Sequence, residues 1–233
     1  MVNSMFDIYI FWDWIRKNIR TRDVLIIGAL VVAYLLTRLI HLSAFPIFTD
    51  EGIYIHWSQV AWKDASVRFI SLTDGRQPLQ TWATIPFLKL FPQNMLFAGR
   101  LFSVASGLVT LAGLITTMWY VINKKAAYYT GLLYVITPYF LFYDRMALVD
   151  SAVTAGIVWM FFFSIILART LRLDVAMILG FITGFTLLGK SSVRLYTALM
   201  FLAVFLVIYS RGIHTIKDYV LHIKESLFGK SHK

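Results

Sequence analysis

Cysteine is absent from the 233 residues, which removes disulfides, thiolate metal ligands and thiol nucleophiles, and leaves the redox compartment unreadable. Charge is scarce as well. Only 15% of residues are Asp, Glu, Lys or Arg, against roughly a quarter in globular domains. Hydrophobic residues make up 59%, and the mean hydropathy is +0.71. The missing charge is missing in blocks: Leu101 to Ile122, Ala126 to Tyr143 and Ser151 to Ala168 carry none over 22, 18 and 18 positions. A helix needs about 20 apolar residues to cross roughly 30 Å of hydrocarbon. Within that layer the helix satisfies its own backbone, which an isolated strand does not. The composition therefore excludes a soluble domain and predicts an all-α membrane protein. In such a chain the formal charge of +10 reports loop topology and contact with anionic membrane lipids, so no nucleic-acid partner is expected. There is no internal repeat, low-complexity stretch or flexible linker. No cleavable signal peptide is evident, and the first apolar run reads as a retained anchor.

Met5, Ile8, Trp12, Ile15 and Ile19 recur at steps of three and four beside Arg16, Lys17, Arg20 and Arg22. That pattern predicts an amphipathic interfacial helix over residues 1–22. Residues 23–210 read as the transmembrane module. A first span runs from about Val24 to Phe45, and apolar segments follow at about 78–91, 97–122, 126–143, 150–168, 174–189 and 195–210. Residues 211–233 repeat the basic amphipathic pattern and read as a cytoplasmic tail.

Segment 78–91 decides the topology. Only Pro78 to Leu88 precede Lys89, and Pro86 interrupts them, which is short for a span. If this segment lies in the interface, 13 of the 22 Lys and Arg fall inside and 7 outside, with Arg38 and Arg100 within helices. If it spans, the bias reverses. The positive-inside rule thus selects six spanning helices with both termini cytoplasmic. The location expected is the cell membrane, or the endoplasmic reticulum membrane in a eukaryote. Interfacial helices would then occupy a long first extracytoplasmic loop. Asp50, Glu51, Asp74, Arg76, Asp144, Arg145, Asp150, Lys190 and Arg194 would share one outer face. Charges at the edge of hydrocarbon persist when they are paired or functional, so the cluster reads as a site.

Several motifs fall on that face in order. The first outer loop reads Phe48-Thr49-Asp50-Glu51-Gly52-Ile53-Tyr54, where the plain reading of Asp50 is a helix N-cap. Asp74-Gly75-Arg76-Gln77-Pro78-Leu79 follows, then Gly99-Arg100-Leu101, then Asp144-Arg145-Met146-Ala147-Leu148-Val149-Asp150, and last Leu188-Gly189-Lys190. The ordered set resembles the N-terminal half of polyprenyl-phosphate-sugar-dependent glycosyltransferases of the GT-C fold, in the protein O-mannosyltransferase and aminoarabinose transferase group. Asp50, Glu51 and Tyr54 match that group's Asp-Glu-x-x-Tyr. Arg76-Gln77-Pro78-Leu79 matches its basic residue before Pro-Pro-Leu with one proline lost, and Arg145 to Asp150 matches its Arg, apolar stretch and Asp. The motif usually written Lys-Gly-Pro is Lys190-Ser191-Ser192 here.

The resemblance implies transfer of a sugar from a polyprenyl-phosphate donor to the hydroxyl of a glycan, lipid or protein acceptor. It implies Asp50 as catalytic base with Glu51 beside it, and Tyr54, Arg76, Lys190 and Arg194 as donor phosphate or sugar ligands. Arg145 and Asp150 read as an acceptor-binding or structural pair. No cofactor is required on this reading; the group leaves a divalent cation open, with Asp50 and Asp150 as its candidate ligands. His56 lacks a second His at ligand spacing. Members of the group run to about twice this length. The chain is accordingly expected to be a fragment or a half-length member, with a partner subunit supplying the missing half. Two other readings stay open: a non-catalytic subunit that binds lipid-linked sugar, and a small lipid transporter or flippase.

Overall fold

The computed structural model describes residues 19–211 and Val220. The interfacial helix expected over 1–22 and the tail expected over 211–233 lie almost wholly outside the described residues. Within them every regular element is helical. Helix α1 covers Thr21–Leu39, α2 Thr49–Lys63, α3 Leu79–Leu90, α4 Met95–Val121 and α5 Lys124–Ile136. Then come α6 Pro138–Tyr143, α7 Asp150–Thr170, α8 Leu173–Leu187 and α9 Val193–Arg211. Two 3-10 turns, Ala65–Val67 and Ile70–Asp74, link α2 to α3.

Helices start where side chains cap free N–H groups. Asn94 accepts from the N–H of Phe97 (3.0 Å) at the head of α4, and Asn123 accepts from that of Ala126 (2.9 Å) at the head of α5. Helices α4 and α7 form the centre: α4 packs on α3, α5 and α7, and α7 also packs on α8 and α9. One apolar core joins Leu30, Tyr34, Val104, Leu111, Ile115 and Tyr134 between α1, α4 and α5. A second joins Leu79, Val149, Val153, Met160, Leu179 and Val193. Large apolar side chains also stand on the outside. Leu173, Phe181 and Leu195 are each exposed by more than 70%, on α8 and α9. Buried arginines with exposed Leu and Phe are the inversion expected of a protein solvated by lipid.

Among the described residues two helices, α4 with 27 residues and α7 with 21, are long and apolar enough to cross a bilayer by length and composition. Helix α3 has 12 residues, about 18 Å of rise, too short to cross. Helix α8 has 15, about 22 Å, short of the full hydrocarbon layer.

The stretch expected as one span over 126–143 is broken into α5 and α6. Pro138 has no N–H for the Tyr134 carbonyl, and its ring drives Thr137 to an extended backbone of φ −65° and ψ 121°. The freed carbonyls do not go unpaired. Arg38, fully buried near the end of α1, donates to the carbonyl of Val135 (2.5 Å) and to that of Tyr134 (3.1 Å). It also pairs with Asp144 at 3.5 Å and lies 4.6 Å over the Tyr34 ring. Removing one partner of a buried ion pair costs about 3–5 kcal/mol. Arg38→Ala should therefore lower the unfolding midpoint in detergent by about 10 °C. Arg38→Lys should rescue little, because one ammonium does not reproduce the guanidinium fork. A midpoint within about 2 °C of wild type for the alanine variant would count against this role.

Candidate active site

The nine charges expected to share one face sort into a buried frame and an exposed group. Arg100, on α4, is the centre of the frame. Its Nε and one terminal nitrogen donate to the two carboxylate oxygens of Glu51, both at 2.8 Å, and neither side chain is exposed. The same guanidinium donates to the carbonyls of Leu42 (2.8 Å), Phe45 (3.1 Å) and Pro46 (3.2 Å). Glu51 also accepts from the N–H groups of Ala147 (2.7 Å) and Phe48 (3.0 Å). Burial pushes the Glu51 carboxyl up, but the bonds from Arg100, Ala147 and Phe48 outweigh it and hold the group below its ordinary value. Glu51, expected to act beside Asp50, is instead committed to Arg100. Neighbours in sequence on a helix do not face each other, so α2 turns Asp50 outward and Glu51 into the protein.

Arg145 and Asp150 do not pair either. Arg145 donates to the carbonyls of His41 (2.8 Å), Ile40 (3.0 Å) and Thr37 (3.4 Å) at the end of α1. There His41 takes a left-handed φ of 52°, uncommon for a residue with a Cβ. The Asp150 carboxylate instead accepts from Lys190 at 3.0 Å. Asp144 is buried and accepts from Ser151 (3.0 Å) and Tyr134 (3.1 Å), besides its contact with Arg38.

The exposed group is what remains. Gly75 adopts φ 68°, a conformation that suits glycine, and the turn it makes delivers Arg76 from the 3-10 element. Arg76 donates to Asp74 (2.9 Å) and to Asp50 (3.2 Å), and its guanidinium lies 5.3 Å over the Tyr54 ring and 6.0 Å over that of Trp57. The Asp50 bond and Tyr54 raise the affinity of Arg76 for its proton. The Asp150 bond does the same for Lys190. Burial pushes the Tyr54 phenol up, with Arg76 opposing and Asp150 and Asp50 adding to the rise. Tyr54 therefore stands within electrostatic reach of both ion pairs. Gln77 donates to Ser191 at 3.4 Å and the N–H of Leu79 to the Leu188 carbonyl at 2.9 Å, which ties the Arg76 turn to the Lys190 turn.

Arg76 and Asp50 are 26% and 41% exposed at their side chains, Lys190 and Asp150 50% and 37%. Pairs this open contribute about 0–1 kcal/mol to stability. Their value to the protein lies elsewhere. Arg194 is exposed, with no hydrogen bond or ion pair from its side chain recorded among the described residues. Among those residues no three His, Asp or Glu side chains cluster as metal ligands, and Asp50 and Asp150 each already hold a basic group.

The sequence pattern of the dolichyl-phosphate-mannose-protein mannosyltransferase family matches residues 76–229, about two thirds of the chain. The chain belongs to that family. No curated protein and no solved structure matches it. Membership makes this a membrane protein of a glycosyltransferase family of the GT-C type. The mannosyltransferase-family match takes in Arg76, Arg145, Asp150, Lys190 and Arg194 and begins after Asp50, Glu51 and Tyr54.

Arg38, Arg100 and Asp144 had no assigned role in the sequence, although an arginine inside an apolar run calls for a buried partner. The frame gives a pH test. Glu51 has a lowered folded-state pKa, so its stabilisation is present above the ordinary value of 4.5 and is lost as pH falls through and below it. Thermal midpoints in detergent should fall for wild type between pH 6 and pH 3. Glu51→Gln should start lower and depend less on pH over that interval. Parallel wild-type and Glu51→Gln curves would refute the assignment.

Proposed function

We propose that this chain transfers a sugar from a polyprenyl-phosphate-linked donor to an acceptor hydroxyl at the extracytoplasmic face of the membrane. The observation that carries the reading is the sorting of charge: the fold consumes Glu51, Arg100, Asp144, Arg145 and Arg38 internally, and leaves Asp50–Arg76 and Asp150–Lys190 open around Tyr54. Asp50 takes the proton of the acceptor hydroxyl. The acceptor oxygen then forms a bond to the anomeric carbon as the bond from that carbon to the phosphate oxygen breaks, with inversion. The phosphate leaves with the electron pair, and its charge is met by Arg76 and Lys190, with Arg194 at the rim. Arg76 suits bidentate contact with phosphate, and Lys190 acts as a point charge. Tyr54 aligns the donor beneath Arg76. Asp150 holds Lys190 in place until phosphate replaces it.

The topology that goes with this reading has six spans, both termini in the cytoplasm and α3 along the outer leaflet. The shortness of α3 supports it, as does the tie between the Arg76 and Lys190 turns. Helix α5 with its Pro138 break, and the short α8, would cross as parts of a packed bundle in which Arg38 meets the carbonyls that the proline frees.

General-base catalysis contributes roughly 100- to 10,000-fold. Asp50→Asn should therefore lower sugar transfer from a polyprenyl-phosphate hexose by at least about 100-fold at equal protein level in membranes. Undiminished transfer would remove Asp50 from the mechanism. The topology has its own test, made simple by the lack of cysteine. Single variants His56→Cys and Ser192→Cys, both at exposed positions, should react with an impermeant maleimide added to the outer side of intact cells. Labelling of one from outside and the other only after lysis would overturn the shared outer face.

A further inference from the structure

The candidate active site lies near one end of α4, and the other end carries a second concentration of charge that no step above uses. Arg100 and Tyr120 are separated along this helix by about 30 Å of rise. At the far end, the start of α1, the turn from α4 to α5 and the turn from α7 to α8 supply Arg20, Arg22, Lys124, Lys125, Arg169 and Arg172 against Asp23 and Asp174. We propose that this end of the bundle binds the phosphodiester headgroup of an acidic phospholipid, with Arg22, Lys125 and Arg169 as its ligands. The proposal does not depend on the sugar-transfer reading.

Both carboxylates at this end are already committed. Asp23 is buried and accepts from Lys124 (2.5 Å), from the Tyr128 hydroxyl (2.6 Å) and from the Arg20 N–H (2.9 Å), which fixes the head of α5 to that of α1. Asp174 takes the Arg172 guanidinium in a fork at 3.0 and 2.7 Å. Among the described residues no carboxylate pairs with Arg22, Lys125 or Arg169, so a surplus of positive charge remains. The cations are also held in place around one helix end. Lys124 lies 4.9 Å over the Trp119 ring and Arg169 4.8 Å over that of Tyr120, neighbours in the last turn of α4. Arg22 stands within electrostatic reach of Tyr128. A guanidinium laid on a ring has its face occupied and its N–H edge open, and that edge is what grips a phosphate. Beside these cations Val24, Leu25, Val121, Ile122 and Leu173 are exposed. A soluble anion has no use for such a rim, whereas acyl chains below a headgroup cover it.

The purified full chain in a neutral detergent is supplied with dioleoyl phosphatidylglycerol or dioleoyl phosphatidylcholine. At saturation phosphatidylglycerol should raise the thermal midpoint by about 5 °C over phosphatidylcholine. Each basic residue at such a surface contributes about fivefold to affinity for acidic lipid. The triple variant Arg22→Gln, Lys125→Gln, Arg169→Gln should therefore bind phosphatidylglycerol at least about fivefold more weakly and lose most of the shift. A second triple variant, Lys63→Gln, Arg68→Gln, Lys89→Gln, removes the same charge from exposed positions between α2 and the end of α3 and should keep the shift whole. Glycerophosphoglycerol, the same headgroup without acyl chains, should produce none of it. Native mass spectrometry reads the retained lipid directly, whatever the basal stability of a variant: from an equal mixture wild type should keep phosphatidylglycerol over phosphatidylcholine, and the first triple variant should keep the two alike. An undiminished preference in that variant, or an equal loss in both triple variants, would overturn the site. A full shift from the headgroup alone would overturn the assignment to a lipid.

Discussion

A guanidinium and a carboxylate with no solvent around them, Arg100 and Glu51, hold the start of α2, the loop before it and the turn before α7 in register with α4. Arg100 stands on the long helix α4, while its partners come from three places: the chain leaving α1 at Leu42, Phe45 and Pro46, the first turn of α2 at Glu51, and through Glu51 the Ala147 amide ahead of α7. A buried ion pair is weak evidence of net stability against an apolar alternative, yet removal of either partner is costly. What the pair supplies is position. With Glu51 pinned inward by both its oxygens, the next residue back, Asp50, stands about 100° around the helix from it, toward Arg76. The exposed carboxylate is placed by the buried one.

The same device recurs at two more arginines, each time where a helix ends or breaks. Arg145 takes the carbonyls of Ile40 and His41 just after α1, and Arg38 takes the two left open by Pro138. In water such carbonyls would be hydrated. In an apolar surround they need fixed donors, and a guanidinium with five N–H groups serves several at once. Gly107 completes the arrangement. A Cβ there would run into the Tyr34 hydroxyl and the Asp144 carboxylate, so α4 approaches that polar knot only by having no side chain. Tyr34 in turn donates to the Val104 carbonyl at 2.8 Å, which ties α1 to α4 at the level of the Asp144 pair.

Much of this was legible in the sequence, and the limits have physical reasons. The uncharged blocks marked α4 and α7, since no other element tolerates 18 or more apolar residues in a row. Pro86 and Lys89 marked α3 as short. The block over 126–143 looked continuous because hydropathy does not register a missing N–H, although Pro138 was the residue that broke it. Adjacency misled at Asp50 and Glu51, neighbours in the chain that stand about 100° apart around a helix. Arg145 and Asp150 were paired by resemblance alone, and the turn between them sends Arg145 to the carbonyls after α1 and Asp150 to Lys190. The ties Asp50–Arg76 and Asp150–Lys190 link residues 26 and 40 positions apart, and no local pattern carries that information.

Within the proposed function, hydrogen bonding separates the carboxylates that compete for the role of base. A base needs an unoccupied lone pair open to the acceptor. Glu51 accepts four hydrogen bonds and is shut away from solvent. Asp144 is buried among Ser151, Tyr134 and Arg38. Asp150 is held by Lys190 at 3.0 Å, and Asp74 by Arg76 at 2.9 Å. Asp50 accepts a longer bond of 3.2 Å from that same guanidinium and is 41% exposed. When a donor phosphate competes for Arg76, the longer bond is the weaker claim on the guanidinium. Its loss leaves both carboxylate oxygens of Asp50 open to an acceptor hydroxyl, so in the proposed mechanism arrival of the donor and exposure of the base are coupled through one arginine.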